Sequence, residues 1–146
     1  MSLRSRAFFV FSRVAYAVYA RFPIFGTVRG AVAIIRRDEG FVVTERADGY
    51  GLGFPGGIAG FRESLDTTVR REVKEETGLR LITAELKFDF FYPKPIPNRT
   101  SVYEVTAEGD LRGSWEGAAR VASMTELEQH IAPQHRPVLE YLQSQS

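Results

Sequence analysis

Cysteine is absent from the chain. This excludes disulfides, thiolate metal sites and a cysteine nucleophile, and it fits a reducing compartment, so a cytoplasmic location is the expectation. Histidine is scarce. His130 and His135 are separated by Pro133 and do not share one helix face at metal-ligand spacing, so both are expected at the surface. Any metal must sit on oxygen or histidine. A strong charge of either sign is also missing: nineteen basic and eighteen acidic side chains leave a net +1. No global field favours duplex nucleic acid, and any phosphate binding must be local. Finally, no apolar run reaches the roughly 20 residues of a spanning helix. Arg13 splits the apolar block from Ala7 to Phe11 from that of Val14 to Ala20, and the first block is too short for a signal-peptide core. Neither a membrane span nor export is expected.

What is present suits one globular domain. The 146 residues are 44% hydrophobic and 25% charged, close to the average for soluble folds and large enough for one well-covered core. Residues 1–26 stand apart as an aromatic segment punctuated by Arg4, Arg6, Arg13 and Arg21. A helix there has three fates: packing on its own domain, joining a homodimer, or lying on a membrane surface. The domain itself is expected over residues 27–146. Thr27 to Arg36 and Gly40 to Glu45 read as a hairpin, and Asp48 to Gly60, with six glycines, as a shaped loop. Leu65 to Thr77 reads as a helix, because Ser64 can cap its start, Asp66 favours the positive helix end, and Gly78 supplies a left-handed stop. Strands are expected at Arg80 to Tyr92, Thr100 to Ala107 and Ala118 to Ala122. The first two are separated by a connector stiffened by Pro93, Pro95 and Pro97. Two short helices, Met124 to Ile131 and Gln134 to Gln143, close the chain. Strands interleaved with helices predict an α/β fold, a mixed sheet covered on both faces.

The helix before Gly78 has an unusual buried face. With Leu65 at zero and about 100° per residue, Val69 and Val73 fall near 40° and 80°, and Glu76 and Glu72 near 20° and 340°. Two carboxylates therefore share the apolar stripe, while Arg70, Arg71 and Lys74 fall on the far side. With Glu75 beside them, ionising all three next to a core costs energy unless a counterion is present. A hard divalent cation removes that cost, and magnesium is typically held by one or two carboxylates plus substrate phosphates. The alternative is a solvated acidic face balanced by Arg71 and Lys74.

Taken with its flanks, the segment is Gly57, five residues, Glu63, seven residues, then Arg71-Glu72-Val73-Lys74-Glu75-Glu76-Thr77-Gly78-Leu79. This resembles a complete Nudix box, and Thr44 to Ala47 followed by Gly53 to Gly57 is similar to the approach to that box in MutT-type members. The resemblance runs from Thr27 to about Leu142. It implies a Nudix-type α/β/α sandwich and a magnesium-dependent hydrolase, with manganese as an alternative metal, cleaving a phosphate-phosphate bond in a nucleotide. It further implies a metal site on Glu72, Glu75 and Glu76 with the carbonyl of Gly56, and an orienting pair of Arg71 with Glu63. Glu75 or Glu116 would be the base and Arg46 a phosphate contact. From strand alternation, Phe88, Phe90 and Tyr92 share one face; Phe90 and Tyr92 are candidates for stacking on a nucleobase, and Phe91 points oppositely.

There are departures from the family pattern. Gly60 stands where many relatives carry an acidic residue, Arg62 where they carry glycine, and His135 where MutT-type enzymes place a purine-reading asparagine. A nucleoside triphosphate is the leading substrate class. The alternatives are ADP-ribose or another nucleotide sugar, and a non-catalytic nucleotide-binding module. The isomerases that share this fold rely on a cysteine, which the chain lacks.

Overall fold

The computed structural model describes residues 7–8, 10–15, 27–93, 96–114 and 117–146. Its centre is strand β1 (Val28–Arg37), in which Ala31 to Ile35 are all buried. Such an unalternating apolar run is what a strand covered on both faces requires. Its side chains divide by parity. Ala31, Ala33 and Ile35 enter one core with Val69, Val73 and Leu79; Val32 and Ile34 enter the other with Phe54, Leu127 and Leu142.

A turn with Asp38 at φ 53 leads into β2 (Gly40–Arg46), which pairs with β1 through Arg36 opposite Phe41. The short β3 (Leu52–Gly53) pairs with β2. Next, β4 (Gly56–Ile58) runs antiparallel to the first half of β1, with Gly56 opposite Val32 and Gly57 opposite Ala31. Helix α1 (Leu65–Thr77) precedes β5 (Arg80–Tyr92), an edge strand antiparallel to β6 (Asn98–Glu108). In turn β6 lies parallel to β1, with Val28 opposite Asn98 and Ile35 opposite Val105. Finally β7 (Gly117–Ala122) pairs with β2. The described strands thus form two wings, β4-β1-β6-β5 and β3-β2-β7, joined at the β1–β2 hairpin. Helix α1 covers one face, and α2 (Met124–His130) and α3 (Arg136–Ser144) cover the other, giving an α/β/α sandwich on a mixed sheet.

Three boundaries differ from the sequence expectation, each for a local reason. Strand β6 begins at Asn98, two residues early, because the Val28 N–H donates to the Pro97 carbonyl (2.8 Å) and starts the parallel ladder there. Helix α2 stops at His130, since Ile131 turns extended (φ −62, ψ 135) and bridges to Leu52. The closing helix is a 3₁₀ turn, Pro133–His135, followed by α3. Pro133 and Pro137 lack the N–H donors that one continuous helix would use.

Residues 7–8 and 10–15 are helical. Val10, Phe11 and Val14 stand exposed rather than packed on the domain. Pro95, in the expected connector, and Glu116 lie outside the described residues.

Candidate active site

Helix α1 is held at both ends by the expected devices. The Ser64 hydroxyl accepts the Thr67 N–H at 3.2 Å, and Gly78, at φ 75, donates its N–H to the Lys74 carbonyl at 3.0 Å. Val69 and Val73 are fully buried, which contributes roughly 2 kcal/mol apiece. With that stripe anchored in the core, the neighbouring Glu72 is carried to the sheet surface, its side chain only 12% exposed. Glu76 is half-buried and its Oε2 accepts the Gly56 N–H at 3.1 Å, linking α1 to β4. Glu75 looks outward, 58% exposed.

The glycines of β4 make this approach possible. A Cβ on Gly57 would lie 2.4 Å from Glu72 Oε1, so only a residue without a side chain lets the Glu72 carboxylate rest against the strand.

Arg71 is not on the solvated far side that its helical angle predicts. Its stem swings the guanidinium toward the sheet, where Nε donates to Glu63 Oε2 at 2.9 Å and Nη2 to Glu63 Oε1 at 3.0 Å. Nη2 also reaches the Ile58 carbonyl at 3.3 Å, while Nη1 meets Glu72 Oε1 at 2.7 Å and Glu75 Oε2 at 3.2 Å. One side chain therefore ties together β4, the loop before the helix, and two carboxylates. The two-pronged hydrogen bond from Arg71, with help from the Thr68 hydroxyl and the Gly60 N–H, pushes Glu63 down to about 2 from an ordinary 4.5. The same contact, ahead of the Glu72 contact and against desolvation, raises Arg71 further. Thr68 was not singled out from the sequence, although a buried threonine one turn after a cap residue is a signal for such a bond.

The donor chemistry fits a hard divalent cation. Glu72, Glu75 and Glu76 offer only carboxylate oxygen, and the Arg71 Nη1 lying between Glu72 and Glu75 shows that two of them reach one cation. With that guanidinium in place, no three acidic or histidine side chains among the described residues converge as a metal site.

Beside the glycine strand lies a cleft of about 190 Å³, bordered by Arg46, Gly56, Gly57, Phe90, Tyr92 and His135 among others. Small-molecule sites usually measure roughly 300–1,000 Å³, so this one encloses part of a nucleotide and leaves the remainder over β4 and α1. Phe90 and Tyr92 stand opposite Thr100 and Asn98 of β6, on the cleft side. Phe88 instead packs on Tyr141, with ring centroids 4.9 Å apart, and Phe91 is exposed on the other face. Arg46 is held in a fork by Asp48, Nη2 to Oδ2 at 2.7 Å and Nε to Oδ1 at 3.1 Å. Burial works against the charged Asp48, but Arg46 and the Tyr50 N–H more than offset it and hold its pKa below the usual value. Asp48 was missed in the sequence, where it read only as a turn residue.

His135 is not a surface histidine. It is half-buried, borders the cleft, and stacks at a tilt on Phe54 with centroids 6.0 Å apart. Its Nδ1 is buried without a hydrogen-bond partner. Burial first, and nearby Arg46 second, push it down to about 4. Its position follows from the short 3₁₀ turn, which rotates it inward after Pro133. His130, by contrast, is exposed.

A fold with an acidic helix set against a glycine strand defines a class, and comparison with known proteins gives it a name. The model of the NUDIX domain matches residues 26–142, and the chain belongs to the Nudix hydrolase family. Among curated relatives it is 33% identical over 87 residues to a MutT-like protein of Streptomyces ambofaciens, covering 60% of this chain and 48% of that protein. It is 36% identical over 76 residues to an 8-oxo-dGTP diphosphatase of Haemophilus influenzae, covering 47% and 56%. The chain thus spans about half the length of these relatives. Among solved structures, a Nudix hydrolase family member from Chromobacterium violaceum superposes with a TM-score of 0.70 at 27% identity, covering 82% of this chain and 79% of that one. A MutT protein from Methanosarcina mazei gives 0.71 at 21% identity, covering 82% and 95%, and supports the fold alone.

Proposed function

We propose that the chain is a magnesium-dependent pyrophosphohydrolase acting on nucleoside triphosphates, with manganese able to replace magnesium. The observation that carries this reading is the juxtaposition of three glutamates on α1, a strand of two glycines facing them, and an adjoining cleft with an arginine and two aromatic rings. The printed names of the curated relatives, MutT-like protein and 8-oxo-dGTP diphosphatase, support the same substrate class.

In this reading Glu72, Glu75 and Glu76 hold the metal, with the carbonyl of Gly56 adding a backbone ligand. When bound, the divalent cation supplies charge neutralisation for the phosphates and lowers the pKa of a coordinated water. The chain's own groups do the rest. Arg46, pre-aimed by Asp48, holds a phosphate oxygen with its planar fork. Phe90 and Tyr92 offer the base a flat apolar surface. Glu63 fixes Arg71, and Arg71 fixes the position of Glu72. The attacking water gives its proton to Glu75 or Glu116 as its oxygen attacks phosphorus. The P–O bond to the departing diphosphate breaks, and a nucleoside monophosphate and pyrophosphate leave.

The test is a panel of nucleotides with magnesium, comparing the parent chain with Glu76→Gln. The glutamine keeps an oxygen to accept the Gly56 N–H but loses the charge that holds metal. Unchanged thermal stability with an activity loss of about 100-fold or more is expected, beyond what outer-shell substitutions usually cost. Full activity in Glu76→Gln refutes the metal assignment. Nucleotide binding without turnover by the parent would replace this reading with a binding module. Release of AMP and a sugar phosphate from a nucleotide sugar, with triphosphates inert, would replace the substrate class.

A further inference from the structure

We propose that the first 26 residues form a peripheral anchor that seats the enzyme on an anionic lipid surface. Its apolar helical face would enter the headgroup boundary, with its arginines among the lipid phosphates.

The first observation is exposure. Over residues 7–8 and 10–15 the chain is helical, and Val10, Phe11 and Val14 are 63%, 72% and 57% exposed. Isolated exposed apolar residues are ordinary, but these are organised. At about 100° per residue, with Phe11 at zero, Val14, Ala7 and Ala15 fall within roughly 60° of it, Val10 near −100° and Phe8 near +60°. Ser12 and Arg13 fall outside that arc, near +100° and 200°. Arg13 is itself exposed. The described part of the helix therefore carries an apolar arc about 160° wide with its cation elsewhere, a pattern suited to lying in an interface.

The second observation is charge. The first 26 residues hold four arginines and no acidic residue, whereas the other 120 hold fifteen basic and eighteen acidic side chains. The near-neutral total conceals a segment of +4 joined to a body of −3. A negatively charged bilayer attracts the segment and repels the body, so the charge separation also sets an orientation. The segment carries seven of the eighteen aromatic side chains in under a fifth of the length, and aromatic rings favour the headgroup level of a bilayer. Among the described residues no helix is long and apolar enough to cross a membrane, so attachment would be at the surface and reversible.

An interface between two copies would bury the same apolar arc, but it would bring two +4 segments together. The charge pattern favours the anionic surface for that reason.

The test is sedimentation of the full chain with vesicles of phosphatidylcholine alone and of phosphatidylcholine with phosphatidylglycerol, at low and high salt. Binding to the anionic vesicles, weakened by salt and nearly absent on neutral ones, is the expected result. Arg13→Gln should weaken binding about fivefold, the usual effect of one cation near such a surface. The pair Phe11→Ser with Val14→Ser should weaken it at least about tenfold. Both variants should keep the parent's thermal midpoint and nucleotide turnover in solution, since neither residue touches the domain's described core. No sedimentation with anionic vesicles overturns the proposal, as does binding that Phe11→Ser with Val14→Ser leaves intact. Light scattering that shows a dimer, dissolved by that pair and accompanied by no vesicle binding, would assign the face to a second copy instead.

Discussion

Gly56 and Gly57 are adjacent, both in β4, and the same substitution should harm them in opposite ways. A Cβ on Gly56 would lie 2.4 Å from the Ala31 carbonyl oxygen and 2.9 Å from Val32 Cα. These are backbone atoms of the central strand, and neither can move without separating β4 from β1. Gly56→Ala should therefore cost about 3 kcal/mol, within the range for overpacking a rigid core. A Cβ on Gly57 would lie 2.4 Å from Glu72 Oε1 and 2.5 Å from Glu72 Cδ. Those atoms end a side chain that can rotate away, so the fold gives up little more than the 2.7 Å contact with Arg71, about 1 kcal/mol. Glu72, however, is then no longer where the metal needs it. For a chain of this size 1 kcal/mol moves the thermal midpoint by about 3 °C, so Gly56→Ala should fall by about 10 °C and Gly57→Ala by about 3 °C. Gly57→Ala should lose about 10- to 100-fold in turnover and require more magnesium to saturate. Calorimetry and a magnesium titration of pyrophosphate release measure both. If Gly57→Ala melts as early as Gly56→Ala, or keeps the parent's magnesium dependence, the contact between β4 and Glu72 does not work as argued.

Two other tests follow from the backbone and from the titrating groups. Arg62 sits at φ 58 in the loop entering α1, a conformation that glycine adopts without strain. Arg62→Gly should therefore stabilise the fold by up to about 1 kcal/mol, read as a higher thermal midpoint, and a lower midpoint would refute it. His135 is pushed below its ordinary 6.5 to about 4, so the unfolded chain takes up the proton first and stability should fall as pH drops from 6.5 to 4. Glu63, held near 2 instead of 4.5, adds stability that is complete above pH 4.5 and lost as pH falls toward 2. Urea midpoints across pH should show both declines, with His135→Gln abolishing the upper one and sparing the lower. An unchanged slope between pH 6.5 and 4 in that variant would remove the claim for His135.

Local codes were legible in the sequence, and long-range meetings were not. Helix α1 matched its expected ends, Leu65 and Thr77, because the chain writes them locally as Ser64 before and Gly78 after. The central strand was legible because burial on both faces leaves an uninterrupted apolar run. The position of Arg71 was not, because a helical wheel places Cβ atoms, whereas a guanidinium several bonds further out goes where a carboxylate awaits it. For His135 the signal was misleading: separation from His130 by Pro133 argued for solvent, yet the 3₁₀ turn that the proline imposes is what brings the ring against Phe54. The cleft depends on registers that no local pattern encodes. Phe90 and Tyr92 face it because β5 is displaced by irregularities at Leu81/Thr83 and Leu86/Phe88 before pairing with Thr100 and Asn98. Without the second of these, the ring of Phe91 would take the cleft side and Phe90 and Tyr92 would turn away. The surface offered to a base is thus set by a single irregularity on an edge strand, where sequence can drift at little cost to the core. The glutamates of α1, by contrast, are tied to β4 and cannot drift.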